Sequence, residues 1–362
     1  MMDFSRRLRA LNQSLGVLDG LLVTHLPNIR YLCGFRGSAG ALLVMPDRAL
    51  FFTDGRYTEQ AKSEVGGAKV VITRKPPVLA AGEWVLRKAG RSSKRWALGV
   101  EGEHFTIAAR RRLAKVTGSR VHIKEAAPVV ERARLIKDAD ELALICEAVM
   151  LGAGLYDTAL KAIRPGIREM EVAVAMEQAA RRGGADAMSF ETIVAAGARS
   201  ALPHGRASMA EIPAQGFVVC DFGVILHGYC SDRTRTVWVG QPSEEPRRVY
   251  AAVLEAQLAA IAAVQPGTTA GEIDGAARNV LKHHGLGKYF THSTGHGVGL
   301  EIHEAPRIAR SEQEELRPGM VITVEPGVYL PGKWGVRIED MVIVTEQGCE
   351  VLMPTNKDFI AI

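Results

Sequence analysis

The stretch Val218 to Val239, VVCDFGVILHGYCSDRTRTVWV, constrains the chain more than any other. An apolar run, Val218-Val219-Cys220, ends on Asp221, and a second strand-like run opens just after Asp232. Two such segments joined by a short Gly-containing reversal predict a β-hairpin. With the turn near Leu226 and His227, Asp221 and Asp232 fall opposite each other and face the same side. Two carboxylates at cross-strand distance repel, so a buried pair is either half-protonated or clamped on a cation. A lone pair of aspartates flanking a turn is usually solvated surface.

A second hairpin of the same construction overturns that reading. In Val321 to Val344, VITVEPGVYLPGKWGVRIEDMVIV, an apolar strand ends on Glu325, the turn is Pro331-Gly332-Lys333, and the return strand carries Glu339. Pairing about Gly332 sets Glu325 opposite Glu339. Two hairpins with two acids each predict a pseudo-twofold site of four converging carboxylates. Between them lies HSTGHGVGLEIHE, rich in His and Gly. Four carboxylates and an imidazole suit two divalent metals. The ions cancel the four negative charges, and a hydroxide between them leaves the site near neutral with a nucleophile available at pH 7. Hydrolases of this kind hold their ions about 3.5–4 Å apart.

At 362 residues the chain is long enough for two domains, and 47% hydrophobic with 23% charged residues is the balance of an ordinary globular protein. The net charge is +5, but the basic residues are scattered. RRLR near the N-terminus and RRR at 110–112 are short enough to be solvated faces, so no nucleic-acid partner is expected. Cys33, Cys146, Cys220, Cys230 and Cys349 are odd in number and show no CxxC spacing, which predicts reduced thiols in a cytoplasmic protein. Cys220 neighbours Asp221, so strand alternation turns it to the opposite face, and it is expected, with Cys230 two residues before Asp232, to be a buried structural thiol. The N-terminus lacks the features of a signal peptide, and no apolar run approaches the roughly 20 residues that cross a bilayer, so no membrane association is expected.

Residues 1–130 alternate short strands and helices. Met1 to Leu15 and Asn28 to Phe35 read as helices, Gly20 to Val23 as a strand, and Ala41 to Met45 with Ala49 to Thr53 as a hairpin. Arg56 to Val65 continues as a helix, and Val70 to Ile72 and Trp96 to Gly99 are further strands. No phosphate-loop or dinucleotide fingerprint appears. A second domain, 131–362, follows, with an N-cap at Asp138 or Asp140. Helices over Glu141 to Ile163 and Arg168 to Arg182 precede a strand, Phe190 to Ala196, and the first acid-bearing hairpin. Helices over Glu244 to Val264 and Ala270 to His283 precede the second. The topology helix, helix, strand, hairpin thus occurs twice.

From about residue 130 onwards the chain resembles the pita-bread metallopeptidases, family M24, and among them the Xaa-Pro peptidases, prolidase and Xaa-Pro aminopeptidase. The strings that carry the resemblance are IVAAGARSALPHGRAS, DFGVILHGYCSDRTRT, HSTGHGVGLEIHE and VEPGVYLPGKWGVRIED. NIRYLCGFRGSAGALLV and LFFTDGRYTEQA resemble the family's N-terminal domain. The implied fold is α/β (α+β): a creatinase-like N-terminal α/β domain, then a pita-bread, methionine-aminopeptidase-like catalytic domain.

The resemblance implies that Asp221, Asp232, His296, Glu325 and Glu339 are the metal ligands, with Asp232 and Glu339 bridging. Asp221 would complete one coordination sphere, and His296 with Glu325 the other. Mostly oxygen donors with one imidazole favour Mn²⁺, with Co²⁺ or Zn²⁺ as alternatives. Glu325 matches the proton shuttle. His204 and His303 match the histidines that contact the substrate carbonyl and the tetrahedral intermediate, and His292 matches one that lines the proline-ring pocket. Arg337, two residues before Glu339, would face the same way and support a ligating carboxylate, and it is counted with His204, His292 and His303 among the substrate-binding residues. His283 and His284, at a helix end, read as capping residues, and His227 as an exposed turn residue. Arg233 departs from the family's usual apolar residue, and strand alternation sends it to an outer surface or a subunit contact.

The implied activity is hydrolysis of the Xaa-Pro amide bond of dipeptides or short peptides by hydroxide generated at the metals. A homodimer is implied by the resemblance alone, as is an N-terminal domain that covers the cleft. The alternatives are a creatinase-type amidinohydrolase of the same fold, whose relatives lack the full ligand set, and a non-catalytic binding protein that has lost its metals.

Overall fold

The computed structural model describes residues 2–352 and 354–362. Met1, where the first helix was expected to begin, lies outside the described residues. The chain divides into two compact units, Met1–Arg134 and Leu135–Ile362. The expected boundary at 130/131 falls inside a short helix, Val129–Arg134, which the first unit keeps whole.

In the first unit the elements run α1 (Phe4–Gln13), β1 (Gly20–Val23), α2 (Leu26–Cys33), β2 (Ala41–Met45), β3 (Arg48–Asp54), α3 (Thr58–Glu64), β4 (Lys69–Thr73), α4 (Pro77–Ala89), β5 (Trp96–Glu101), α5 (Ile107–Thr117), β6 (Val121–Ala126) and α6 (Val129–Arg134). The strands form one mixed sheet in the order β4-β3-β2-β1-β5-β6. Its inner strands β1, β2 and β5 are near-continuous buried runs, as a sheet covered on both faces requires, while the edge strands β4 and β6 are partly exposed. Leu22, Leu43, Phe52, Leu98 and Val100 pack there against Ala81, Val85 and Leu113 of α4 and α5.

The second unit opens with α7 (Ala139–Ala162) and α8 (Glu169–Arg182), then β7 (Ala187–Met188), β8 (Ile193–Ala196), β9 (Gly216–Phe222), β10 (Val224–Leu226), β11 (Tyr229–Cys230) and β12 (Arg233–Val239). Its second half is α9 (Glu244–Ala263), α10 (Ala270–His283), β13 (Gly295–Gly297), β14 (Glu304–Ile308), β15 (Val321–Val324), β16 (Gly327–Leu330), β17 (Trp334–Arg337), β18 (Asp340–Thr345) and β19 (Gly348–Val351). Helix α7 starts on a capping box: Asp138 accepts from Glu141 N, and the Glu141 carboxylate accepts from Asp138 N.

Each half has its own core. In the first, Ala148, Leu155, Val172 and Met176 pack against Val194, Val218, Cys220 and Val237. In the second, Val253, Ile273, Ala277 and Leu281 pack against Ile322, Val324 and Val342. The helix pair of each half therefore backs the sheet whose other face carries the acids. Cys220 belongs to the helix-facing core, and burial pushes its thiol up to about 12, so it stays protonated and turned from the acids.

Three expectations need correction. Helix α7 is, by length and composition, long and apolar enough to cross a bilayer, contrary to the expectation that no such run exists. Here it packs on α8, β10 and β11, with about a third of that stretch buried. Arg233 does not reach an outer surface: it is 4% exposed, and its Nη1 donates to Thr355 Oγ1 over 3.2 Å. Burial and the neighbouring Arg235 lower its pKa to about 10.

The third concerns the first hairpin. His227 and Gly228 both adopt positive φ, 49° and 78°, so the turn is centred on them rather than on Leu226 and His227. Leu226 pairs with Tyr229, Phe222 with Arg233, and Asp221 with Thr234. Asp232 falls in the break between the ladders, opposite Gly223. The displacement is two residues along the strand, so both acids keep the same face. In the second hairpin Val324 pairs with Asp340 and Gly327 with Arg337. Glu325 and Glu339 thus lie opposite each other in the interruption, as expected.

Candidate metal centre

The ends of β9, β12, β13, β15 and β17 converge on a cavity of about 760 Å³ lined by all five expected ligands and by His204, His292, His303 and Arg337. Asp232, His296 and Glu339 form its tightest group, with one ligand atom of each within 4.8 Å of the others. Glu325 joins them through Oε1, 3.5 Å from His296 Nε2, and Asp232 Oδ2 lies at the same distance from that nitrogen. Asp221 lines the same cavity, held by Arg337.

His296 is placed by its neighbours in sequence. A Cβ on Gly295 would stand 2.0 Å from Thr323 O, and one on Gly297 would stand 2.2 Å from Ala305 O. Only glycine lets β13 run this close between β14 and β15, which accounts for the Gly-His-Gly spelling. His296 Nδ1 lies 3.0 Å from Gly297 O, so this nitrogen carries the proton and Nε2 turns a lone pair towards Asp232 and Glu325. Burial lowers the His296 pKa to about 4, so the ring is a neutral donor, not one half of an ion pair.

The carboxylates are in the opposite position. Burial, and then Glu339, Asp221 and Glu325, push Asp232 well above the ordinary carboxylate range; burial, then Glu325 and Asp221, do the same to Glu339. Burial raises Glu325 to about 8 despite the opposing charge of Arg337. Two buried oxygens, Asp221 Oδ1 and Glu339 Oε1, have no hydrogen-bond partner among the described residues. A buried acceptor without a donor is costly. Converging acids, orphaned oxygens and an imidazole lone pair are together the donor set of a divalent-metal site, and these residues fit one.

The supporting groups are also in place. Arg337 Nη2 donates to Asp221 Oδ2 over 2.6 Å, and its Nε to Thr234 Oγ1 over 3.0 Å. Thr234 Oγ1 in turn donates to Glu339 Oε2 over 2.8 Å. Nη1 serves Pro203 O and Tyr329 OH. The structure therefore brings Arg337 to the carboxylates, and its donors are taken up by protein acceptors. On the other side Thr323 Oγ1 accepts from His296 N and donates to Glu325 Oε1.

Sequence reasoning missed Thr234, Thr323 and Tyr329. The two threonines lie two residues from Asp232 and Glu325 on the same strand face, a spacing that could have found them. His292 Nδ1 lies 2.7 Å from Ser293 O and must donate to it, leaving Nε2 to accept from Tyr329 OH over 2.8 Å. Burial lowers His292 to about 4 and raises Tyr329 to about 12, which keeps the imidazole neutral and the phenol a donor. His204 and His303 are exposed on the cavity wall, and the His303 ring packs on His296 with centroids 4.4 Å apart.

Residues 143–346 match the model of metallopeptidase family M24, and residues 5–136 match the Creatinase/Prolidase N-terminal domain. The chain belongs to metallopeptidase family M24. Its architecture is accordingly a creatinase-like N-terminal domain followed by a pita-bread domain. Similar members of the family include the Xaa-Pro dipeptidase of Pyrococcus horikoshii, 36% identical over 95% of each chain. The structure of an Xaa-Pro dipeptidase from Bacillus anthracis superposes with a TM-score of 0.93 at 40% identity, covering 99% of both chains. That of an X-Pro aminopeptidase from Thermotoga maritima gives 0.89 at 34% identity, over 99% of this chain and 100% of that one.

Proposed function

We propose that this M24 peptidase cleaves the amide bond preceding proline in dipeptides or short peptides with two divalent metal ions. The observation that carries it is the pair of orphaned oxygens, Asp221 Oδ1 and Glu339 Oε1, in one cavity with the His296 lone pair. Asp221, Asp232, His296, Glu325 and Glu339 would hold the ions, with Asp232, His296 and Glu339 as the most closely set donors. Four carboxylates and one imidazole favour Mn²⁺. When bound, the ions polarise the scissile carbonyl and make a water nucleophilic at neutral pH.

The chain's own residues supply the rest. Glu325 takes the proton of the attacking water and passes it to the leaving amine. His204 and His303 donate to the oxygen on which charge develops, a contribution of about 3–4 kcal/mol per well-placed donor. His292 has both nitrogens engaged, so it offers the proline ring an apolar face rather than a hydrogen bond. Arg337 acts through Asp221 and Thr234.

Arg307 lines the same cavity, and its guanidinium suits the free carboxylate of a dipeptide. That favours dipeptidase over aminopeptidase activity, in line with the names of the Bacillus and Pyrococcus relatives. The complete acid set argues against the amidinohydrolase and binding-protein readings. The free cysteines suit a reducing cytoplasm, and a homodimer, which gel filtration with light scattering would report, belongs to the same proposal.

The test is hydrolysis of Ala-Pro and Ala-Pro-Ala by chelator-stripped protein with and without Mn²⁺. Metal-dependent cleavage of the dipeptide alone is expected. Cleavage of the tripeptide would make the enzyme an aminopeptidase. No cleavage of either with any divalent ion would sink the reading.

A further inference from the structure

Besides Asp340 in β18, which pairs with Arg235, two fully buried acids stand outside the metal set among the described residues, Glu169 in α8 and Asp274 in α10. Each lies on the inward face of the second helix of its half. The buried positions of α8 are Glu169, Val172, Ala173, Met176 and Ala180, and those of α10 are Ala270, Ile273, Asp274, Ala277 and Leu281. The spacing is the same in both helices, and in both an acid occupies a stripe that otherwise packs apolar core.

Their partners repeat as well. Glu169 accepts from Ser208 N over 3.1 Å and Ser208 Oγ over 2.7 Å, and pairs with Arg199 Nε at 3.0 Å. Asp274 accepts from Thr294 N over 3.2 Å and Thr294 Oγ1 over 2.8 Å, and pairs with Arg278 Nε at 2.6 Å. Each guanidinium then donates to a carbonyl two residues before the hydroxyl residue: Arg199 Nη2 to Arg206 O over 2.8 Å, Arg278 Nη2 to His292 O over 2.5 Å. One constellation of acid, arginine, hydroxyl residue and carbonyl therefore occurs once in each half. Ala196 N also donates to Glu169, so the first clamp closes the segment 196–208 around His204. The second fixes Phe290 O and His292 O, and Thr294 O accepts from the backbone N of Glu325.

We infer that Glu169 and Asp274 are paired positioning residues, each setting one substrate histidine: Glu169 places His204, and Asp274 places His292. The inference rests on the roles proposed above for those histidines. The carboxylates themselves touch neither substrate nor metal ligand side chain. They act by holding backbone through charge-assisted bonds, and they are themselves fully buried. An amide in place of either carboxylate turns an NH₂ group towards N–H and guanidinium donors and opens the clamp without changing side-chain size.

Glu169→Gln and Asp274→Asn are therefore the informative variants, with Ser208→Ala and Thr294→Val as milder ones that remove one bond each. In Mn²⁺-loaded enzyme, Glu169→Gln is expected to lower kcat on Ala-Pro with little change in KM. Asp274→Asn is expected to raise KM. Each loses about 10–100-fold in kcat/KM, the scale of a misplacement near 1 Å, with unchanged metal content. Hydrogen exchange should quicken in 196–208 for the first variant and in 290–296 for the second, each without the other. Wild-type kcat/KM and exchange in folded variants would overturn the inference, as would loosening of both segments together. If the wild-type protein does not cleave Ala-Pro, the proposed function falls, and the exchange pattern still decides whether the clamps exist.

Discussion

Asp232 and Glu339 are buried beside other acids and driven towards the protonated form, as is Glu325, which burial raises to about 8. In the metal-free protein these carboxyls keep protons that the unfolded chain releases near its ordinary range, about pH 4. The folded state then binds more protons than the unfolded one, so stability falls as pH rises from about 4 towards 8. Metal uptake should reverse this and expel protons. Titration of metal-free protein with Mn²⁺ at pH 7, by calorimetry in two buffers of different ionisation enthalpy, should show net proton release. Addition of Mn²⁺ should raise Tm more at pH 8 than at pH 6. A proton-neutral uptake would contradict the account. Arg337→Met leaves Asp221 and Thr234 without their donor, and a weakening of metal affinity by about 10–100-fold is expected; equilibrium dialysis would measure it. The acids were legible in the sequence because charged residues interrupt apolar strands there. Thr234 and Thr323 were not, since a threonine in a strand is ordinary until its partner is known.

Among the elements, the hairpins show how much register a sequence carries. The face of Asp221 and Asp232 was legible, because alternation has a period of two and survives a shift of two. Their partners were not, because the signal lay in His227-Gly228, a turn pair whose positive φ values suit the twist of the strands. The second hairpin was legible to the residue, since Gly332 marks its own turn. Strand β13 rests on its glycines. Gly295→Ala should force β13 from β15, displace His296 and lower both Tm and bound metal; scanning calorimetry with metal analysis would show it. A variant with full metal content would mean that the strand can shift without moving the imidazole. The clamps of Glu169 and Asp274 were not legible, because Glu169 meets Arg199 across 30 positions and Asp274 meets Thr294 across 20.

Over the whole second unit, the repeat explains why one chain can present four acids to one point. Each half places a helix pair behind a sheet, carries two acids on an interrupted hairpin, and ties a histidine-bearing segment to a buried acid of the second helix. The sequence made the topological repeat visible through helix periodicity and the paired acids, while the first unit, which carries no catalytic fingerprint, was placed through its resemblance to the family's N-terminal domain.

The central claim is that two ions held by Asp221, Asp232, His296, Glu325 and Glu339 turn this repeat into a peptidase. The most direct measurement is titration of chelator-stripped protein with Mn²⁺, following bound metal and Ala-Pro hydrolysis in the same samples. The account predicts no turnover without metal and an activity that rises with occupancy to two ions per chain, with Asp232→Ala removing both. Full turnover by the stripped protein, or unchanged turnover in Asp232→Ala, would contradict it.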